Sequence, residues 1–334
     1  MLRNVMAAAA ALLVSTSLAT AAAAADINPA VVFDMGGKFD KSFNEGVYNG
    51  VEQFKKETGI EYREFEVTNE TQREQALRRM AQRGADPVIG VGYAQADALA
   101  KVAKEFPDTR FAIIDSVVDL PNVRSIVFKE HEGSFLVGMI AAMKSETGKV
   151  GFIGGMDIPL ISKFACGYEQ GAKHVGADIE VLQNMTGSTP SAWNAPTRGS
   201  ELAQSQFDRG VDVIYAAAGG TGVGVYQSAV DSEKFAIGVD SNQNYLHPGT
   251  MLTSMLKRVD VAAYKAFKDA ADGNWTSGIQ NLGLSENGVG WALDEYNKDL
   301  VTDEMKAKVE QAAADIVAGK LKVHDYTADN SCTY

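Results

Sequence analysis

The sequence predicts an α/β protein built from two similar, doubly wound lobes that face each other across a cleft. Three repeated segments predict it. The pattern F-x-x-G-x-x-x-G occurs as FNEGVYNG at 43–50 and again as FACGYEQG at 164–171. RRMAQRGADPVIG (78–90) is echoed by QSQFDRGVDVIYA (204–216), and RFAIIDS (110–116) by KFAIGVDS (234–241). The offsets are 121 for Phe43/Phe164, 126 for Arg83/Arg209 and 124 for Phe111/Phe235. Matches that keep their order at a nearly constant offset mark a duplicated half, and two lobes leave a cleft between them in which to seek function.

Each element follows from local pattern. Arg3, an apolar or small run over 6–20, and Ala23-Ala24-Ala25 before Asp26 make residues 1–25 a cleavable export signal. No cysteine lies near that cleavage point, so a soluble, freely diffusing periplasmic protein is expected rather than a lipid-anchored one. The remaining 309 residues suffice for two cored domains. In the first copy, the apolar runs 30–33, 87–92 and 110–114 read as buried parallel strands. Ser42 with Glu45 three residues on reads as a capping box that starts a helix striped by Val47, Val51 and Phe54. Further helices fall near 70–83 and 94–105.

The second copy repeats the scheme, with strands at 149–154, 178–183, 212–218 and 234–239 and a helix over about 160–175. Beyond it come a strand at 250–257 and helices near 259–272 and 302–318. These extra elements are expected to return to the first lobe and cross back. The first lobe is then 26–128 plus about 256–285, and the second 129–255 plus about 286–334. Several crossings of this kind make a hinge.

Composition excludes several classes. A net charge of −12 disfavours nucleic acid and anionic membranes as partners. The four histidines (131, 174, 247, 324) have no metal-ligand spacing, and neither a G-x-S-x-G elbow nor a G-x-x-x-x-G-K-[ST] loop occurs. GGTGVG (219–224) lacks the G-x-G-x-x-G spacing of a dinucleotide loop, so no cofactor is expected. In an oxidising compartment Cys166 and Cys332 either pair, pinning the C-terminal tail to the second lobe, or remain two thiols.

Candidate ligand groups sit at the carboxyl ends of strands. Asp34 ends the first strand, and Asp115 and Asp240 end equivalent strands of the two copies. Carboxylates there accept hydrogen bonds from hydroxyl or imino groups, or alternatively cap the turns that follow. The AGGTGVGV loop places Gly220 where backbone N–H groups at a helix start meet a ligand oxygen. Phe43, at the first turn of its helix, either stacks on a flat ring or packs the helix start. Asn44 beside it offers donor and acceptor to a heterocycle edge. Tyr215, near the end of its strand, reads equally as core or as a stacking residue, and Lys257 as a hydroxyl ligand, a partner of Asp240 or a solvated lysine.

VFDMGGKFDKSFNEGVYNG, FAIIDS, AGGTGVGV, GVD and TSMLKRVD together resemble the basic-membrane-protein family of solute-binding proteins, over essentially the whole chain after the signal. That resemblance implies two Rossmann-like lobes of the periplasmic-binding-protein type I class joined by three crossovers. It implies capture of a purine nucleoside, delivery to the permease subunits of an ABC importer, and no enzymatic activity; a monomer is expected. Carried over, it assigns Phe43 and Tyr215 to opposite faces of the purine, with phenylalanine usual in the family where Tyr215 stands. Asp34, Asn44, Asp115, Gly220, Asp240 and Lys257 become the polar contacts to base and ribose. Trp193, in the unaligned segment 186–197, is a further cleft candidate. The competing readings are a binding protein for a sugar, nucleobase or signalling furanose, and a nucleoside hydrolase.

Overall fold

The computed structural model describes residues 27–333, so the export signal expected at 1–25 lies outside the described residues. The first half runs β1 (Ala30–Phe33), α1 (Phe43–Thr58), β2 (Arg63–Glu66), α2 (Gln72–Gln82), β3 (Val88–Val91), α3 (Ala96–Glu105), β4 (Phe111–Ile114), β5 (Val123–Phe128) and α4 (Glu130–Lys144). The second repeats it as β6 (Lys149–Met156), α5 (Pro159–Val175), β7 (Glu180–Gly187), α6 (Pro196–Asp208), β8 (Val213–Ala217), α7 (Gly222–Asp231), β9 (Phe235–Asp240), β10 (Met251–Lys257) and α8 (Val259–Ala271). β11 (Gly278–Leu282), β12 (Val289–Trp291) and α9 (Asp303–Val317) follow.

The strands form two sheets, ordered β11-β5-β4-β3-β1-β2 and β12-β10-β9-β8-β6-β7. The duplication therefore extends to topology. β1, β3, β4 and β8 are buried along their whole length, as parallel strands covered by helices on both faces must be. The chain passes between the sheets three times: after β5 into α4, after β10 into α8, and between β11 and β12. The crossings are tied together by hydrogen bonds from Lys129 N to the Leu282 carbonyl and from Arg258 N to the Gly288 carbonyl.

The last helix of each half is exchanged. α4 packs on α5 of the second lobe, burying Leu136 and Ile140 with Ile161, Phe164 and Tyr168. α8 packs on α1 of the first, where Ala263, Ala266 and Phe267 meet Val47, Val51 and Phe54. The repeated F-x-x-G-x-x-x-G pattern is the seat of this exchange. A Cβ on Gly50 would stand 2.0 Å from the Asp260 carbonyl oxygen, and one on Gly46 2.8 Å from a Val259 methyl. In the other lobe, Gly167 and Gly171 would meet the carbonyl oxygens of His131 and Phe135 at 2.5 and 1.9 Å. Only glycine admits helices this close.

Two local expectations are refined. Ser42 does not cap α1: its hydroxyl donates to Asp240, while the Asp40 carboxylate accepts from the backbone N–H groups of Ser42, Asn44 and Glu45. Aspartate two residues earlier wins because its two oxygens satisfy three otherwise orphaned donors. The cysteines are paired, with Cα atoms of Cys166 and Cys332 5.5 Å apart. The tail so fastened also exchanges two hydrogen bonds with α5, Gln170 Nε2 to the His324 carbonyl and His324 N to Gln170 Oε1.

Because the Phe135 backbone cannot retreat from Gly171, Gly171→Ala is expected to lower unfolding free energy in urea by about 2 kcal/mol or more. Gly290→Ala, whose Cβ meets nothing within 4 Å, should stay within about 0.5 kcal/mol of wild type. Equal stabilities of the two variants would contradict the close-packing account.

Candidate functional site

The carboxyl ends of the two sheets face each other, and between them lies a cavity lined by residues of both lobes. From the first lobe, Asp34 follows β1, Asp40, Phe43 and Asn44 surround the start of α1, Gly92 and Tyr93 follow β3, and Asp115 follows β4. From the second come Ile161 and Phe164 on α5, Trp193, Ala217 ending β8, Gly219 just after it, Asp240 ending β9, and Lys257 ending β10. Asp115 and Asp240 are equivalent in the duplication and share a left-handed backbone, with φ of 71° and 63°. Non-glycine residues seldom adopt it, and such strain gathers at ligand sites.

The deep end is a buried charge cluster. Lys257 Nζ lies 2.7 Å from Asp115 Oδ2 and 3.0 Å from Glu130 Oε1, and its side chain is 2% exposed. The rings of Phe43, Phe128 and Phe164 surround the ammonium at 5.2–5.4 Å from its nitrogen. Glu130 is shared with Lys163, at 3.0 Å, which also donates to the Phe128 carbonyl at the first crossing. Nearer the mouth, Arg73 holds Asp34 through Nε at 2.9 Å.

Burial dominates the titration of the cavity aspartates. It pushes Asp240 and Asp40 up to about 6, and raises Asp115 although the Lys257 ammonium opposes it. Lys257 is held charged because Asp115, Glu130 and Asp240 outweigh its own desolvation. The side-chain oxygen of Asn44 and Asp115 Oδ1 are buried with no hydrogen-bond partner among the described residues. They are acceptors available to a ligand's donors.

Of the sequence candidates, the cavity gathers Asp34, Phe43, Asn44, Asp115, Asp240, Lys257 and Trp193. Tyr215 is a correction: it is wholly buried in the core against Phe152 and Tyr168, with ring centroids at 5.5 and 5.3 Å. It stands two residues before the end of β8, and the end residue, Ala217, is the one that reaches the cavity. Gly220 lies one residue behind the lining, where Gly219 takes its place. Lys257 pairs with Asp115 and Glu130, whereas the hydrogen bond to Asp240 comes from Ser42.

The aromatic residues that the second lobe brings to the cavity are Phe164 and Trp193. Phe164 is the repeat partner of Phe43, so the internal alignment already carried that signal. The indole of Trp193 rests on Gly155, where a Cβ would come within 2.1 Å of the ring, and its Cβ approaches Gly36 of the opposite lobe. Asp40, Arg73 and Glu130 had no motif to betray them.

Residues 27–326 match the Bmp family, described as ABC transporter substrate-binding protein, PnrA-like. The chain is 33% identical over 321 residues to the ABC transporter nucleoside-binding protein BmpA of Lactococcus lactis subsp. cremoris, covering 89% of each. It is 36% identical over 285 residues to an uncharacterized lipoprotein of Pyrococcus abyssi, covering 80% of this chain and 70% of that one. Among solved structures, a solute-binding protein of an ABC transporter system from Aeropyrum pernix K1 superposes with a TM-score of 0.82 at 29% identity, over 90% of this chain and 93% of that one.

The raised acids have a consequence for stability. An aspartate whose folded pKa exceeds its unfolded value destabilises the fold above that folded pKa, and the penalty vanishes as pH falls to the unfolded value. Asp240→Asn should therefore stabilise the protein at pH 7.5, by on the order of 2 kcal/mol. The gain should shrink as pH falls through 6 and be gone near 4. A gain in urea melts that is absent, or independent of pH, would contradict the buried-charge assignment.

Proposed function

Because the chain belongs to the Bmp family of ABC transporter substrate-binding proteins, we propose that it captures a purine nucleoside between its lobes, outside the cytoplasm, and hands it to the permease of an importer. The observation that carries this reading is the composition of the inter-lobe cavity. Flat rings come from both lobes, Phe43 and Trp193, beside the carboxylates of Asp34, Asp115 and Asp240, the amide of Asn44 and the ammonium of Lys257. A purine offers two π-faces to the rings, and ribose offers hydroxyls that donate to carboxylates. The relative named as nucleoside-binding supports the same ligand class, and the relative named as a lipoprotein supports an extracytoplasmic station. The family's role as substrate-binding proteins favours capture over hydrolysis.

The charge of the lining narrows the ligand further. Asp34, Asp40, Asp115 and Asp240 line the cavity against the single ammonium of Lys257, with Arg73 behind Asp34. A phosphate brought into this partly desolvated, acidic space is repelled. Neutral nucleosides are therefore the substrates and nucleotides are not. In this reading, the domains are the two lobes about the three crossings at 128–130, 257–259 and 283–288. Closure about these crossings wraps the ligand, and the closed form is what the permease receives.

Calorimetric titration of unliganded protein with inosine, guanosine and adenosine should give at least one dissociation constant in the micromolar range or tighter, about 8 kcal/mol. Inosine 5′-monophosphate should bind at least about tenfold more weakly than inosine. Phe43→Ala and Trp193→Ala should each cost about ten- to a hundredfold in affinity, since each removes a stacking face and its burial. Tyr215→Phe, in the core, should leave affinity within about twofold. No heat with any of the three nucleosides would refute the proposed ligand.

A further inference from the structure

We propose that Gln243 is the positioning residue that latches the closed lobes, acting as a fixed donor carried by one lobe and received by the backbone of the other. Its side-chain oxygen accepts from Tyr226 Oη at 2.8 Å and from Val239 N at 2.7 Å, both in the second lobe. These bonds leave the amide NH₂ pointing across the cleft, where Nε2 donates to the Lys41 carbonyl of the first lobe at 2.8 Å. Gln243 is 1% exposed, and Gly238 makes room for it, since a Cβ there would lie 2.5 Å from the amide oxygen.

The receiving side is equally fixed. Lys41 has a left-handed backbone, φ 64°, with its N–H and ammonium both bound to Glu45. Neighbouring contacts on the same rim join Ser42 Oγ to Asp240 and Ser241 Oγ to the Ser42 carbonyl at 3.4 Å. The latch thus grips the two residues that precede Phe43 and lies beside Asp240, both of which line the cavity.

The duplication shows that the turn itself does not require glutamine. Gln243 N donates to Ser254 Oγ at 2.9 Å, and the equivalent turn in the first lobe makes the same bond from Val118 N to Ser125 Oγ, also at 2.9 Å. Where the first lobe carries a valine buried in its own core, the second carries a glutamine that reaches the other lobe. One copy has kept the structural form of the position and the other uses it across the cleft.

The inference rests on the reading that the lobes close over a nucleoside, and the test separates the two. Gln243→Glu keeps an acceptor toward Tyr226 and Val239 but sets a carboxylate against the Lys41 carbonyl. Gln243→Val installs the residue of the other lobe and removes the donor. Stopped-flow fluorescence with inosine should show dissociation about tenfold faster than wild type for both variants at pH 7.5. Relative to wild type at the same pH, Gln243→Glu should recover near pH 5, where its protonated carboxyl donates again, and Gln243→Val should not. Tyr226, Asp240, Lys41 with its partner Glu45, and Asp294, which accepts from Asn242 and Asn244, are the titratable neighbours, and they are common to all three proteins.

Wild-type dissociation rates in both variants, or matching pH profiles, would overturn the latch. If wild-type protein binds no nucleoside, the nucleoside reading fails while the latch stays testable by small-angle scattering of ligand-free protein. There the variants should be more extended than wild type, and equal radii of gyration would overturn the proposal.

Discussion

A single buried ammonium holds together the parts on which this molecule depends. Lys257 ends β10, at the point where the chain leaves the second sheet for α8 on the first lobe, and it meets Asp115 of the first lobe and Glu130 at the start of α4. Two of the three crossings therefore converge on one charge that also lines the cavity. Such a cluster tolerates no missing member: removing one partner of a buried pair leaves a charge uncompensated, at a cost of about 3–5 kcal/mol. The cavity and two of the crossings are in this sense the same place, so in the proposed closure a group that bonds to Asp115 would act on the residues that join the lobes.

The exchange of α4 and α8 between lobes explains why the halves, though duplicated, cannot act as independent units. Each half completes its partner's helical layer, and glycines on α1 and α5 let the exchanged helix sit at backbone contact. The phenylalanine that opens each glycine pattern lines the cavity, Phe43 as the first residue of α1 and Phe164 from the second turn of α5. The pseudo-symmetry is broken at the cleft. Gln243 stands opposite Val118, and Trp193 supplies an indole from a segment without a counterpart among the repeats.

The fold was legible because duplication and strand-helix alternation are properties of sequence alone. The carboxyl-end rule then located Asp34, Asp115 and Asp240 from the ends of apolar runs. Tyr215 reads from position alone equally as core or as a stacking residue, and the stacking role comes from the resemblance. The structure buries its ring in the core, two residues before the end of β8 that reaches the cavity. Asp40 was masked by a plausible capping box at Ser42, whose hydroxyl is instead drawn to Asp240 across the cleft. Arg73, Glu130 and Lys163 were not legible at all. Their pairing depends on helices brought together from distant parts of the chain, and no spacing along the sequence records it.

The most direct measurement is a crystal structure of the protein grown with inosine. The hypoxanthine ring should lodge between Phe43 and Trp193 in the inter-lobe cavity. The polar atoms of the nucleoside should bond to Asp34, Asn44, Asp115, Asp240 and Lys257, and the Gln243–Lys41 contact should be intact. Inosine bound outside that cavity, or in it with no ring against either aromatic residue, would contradict the account.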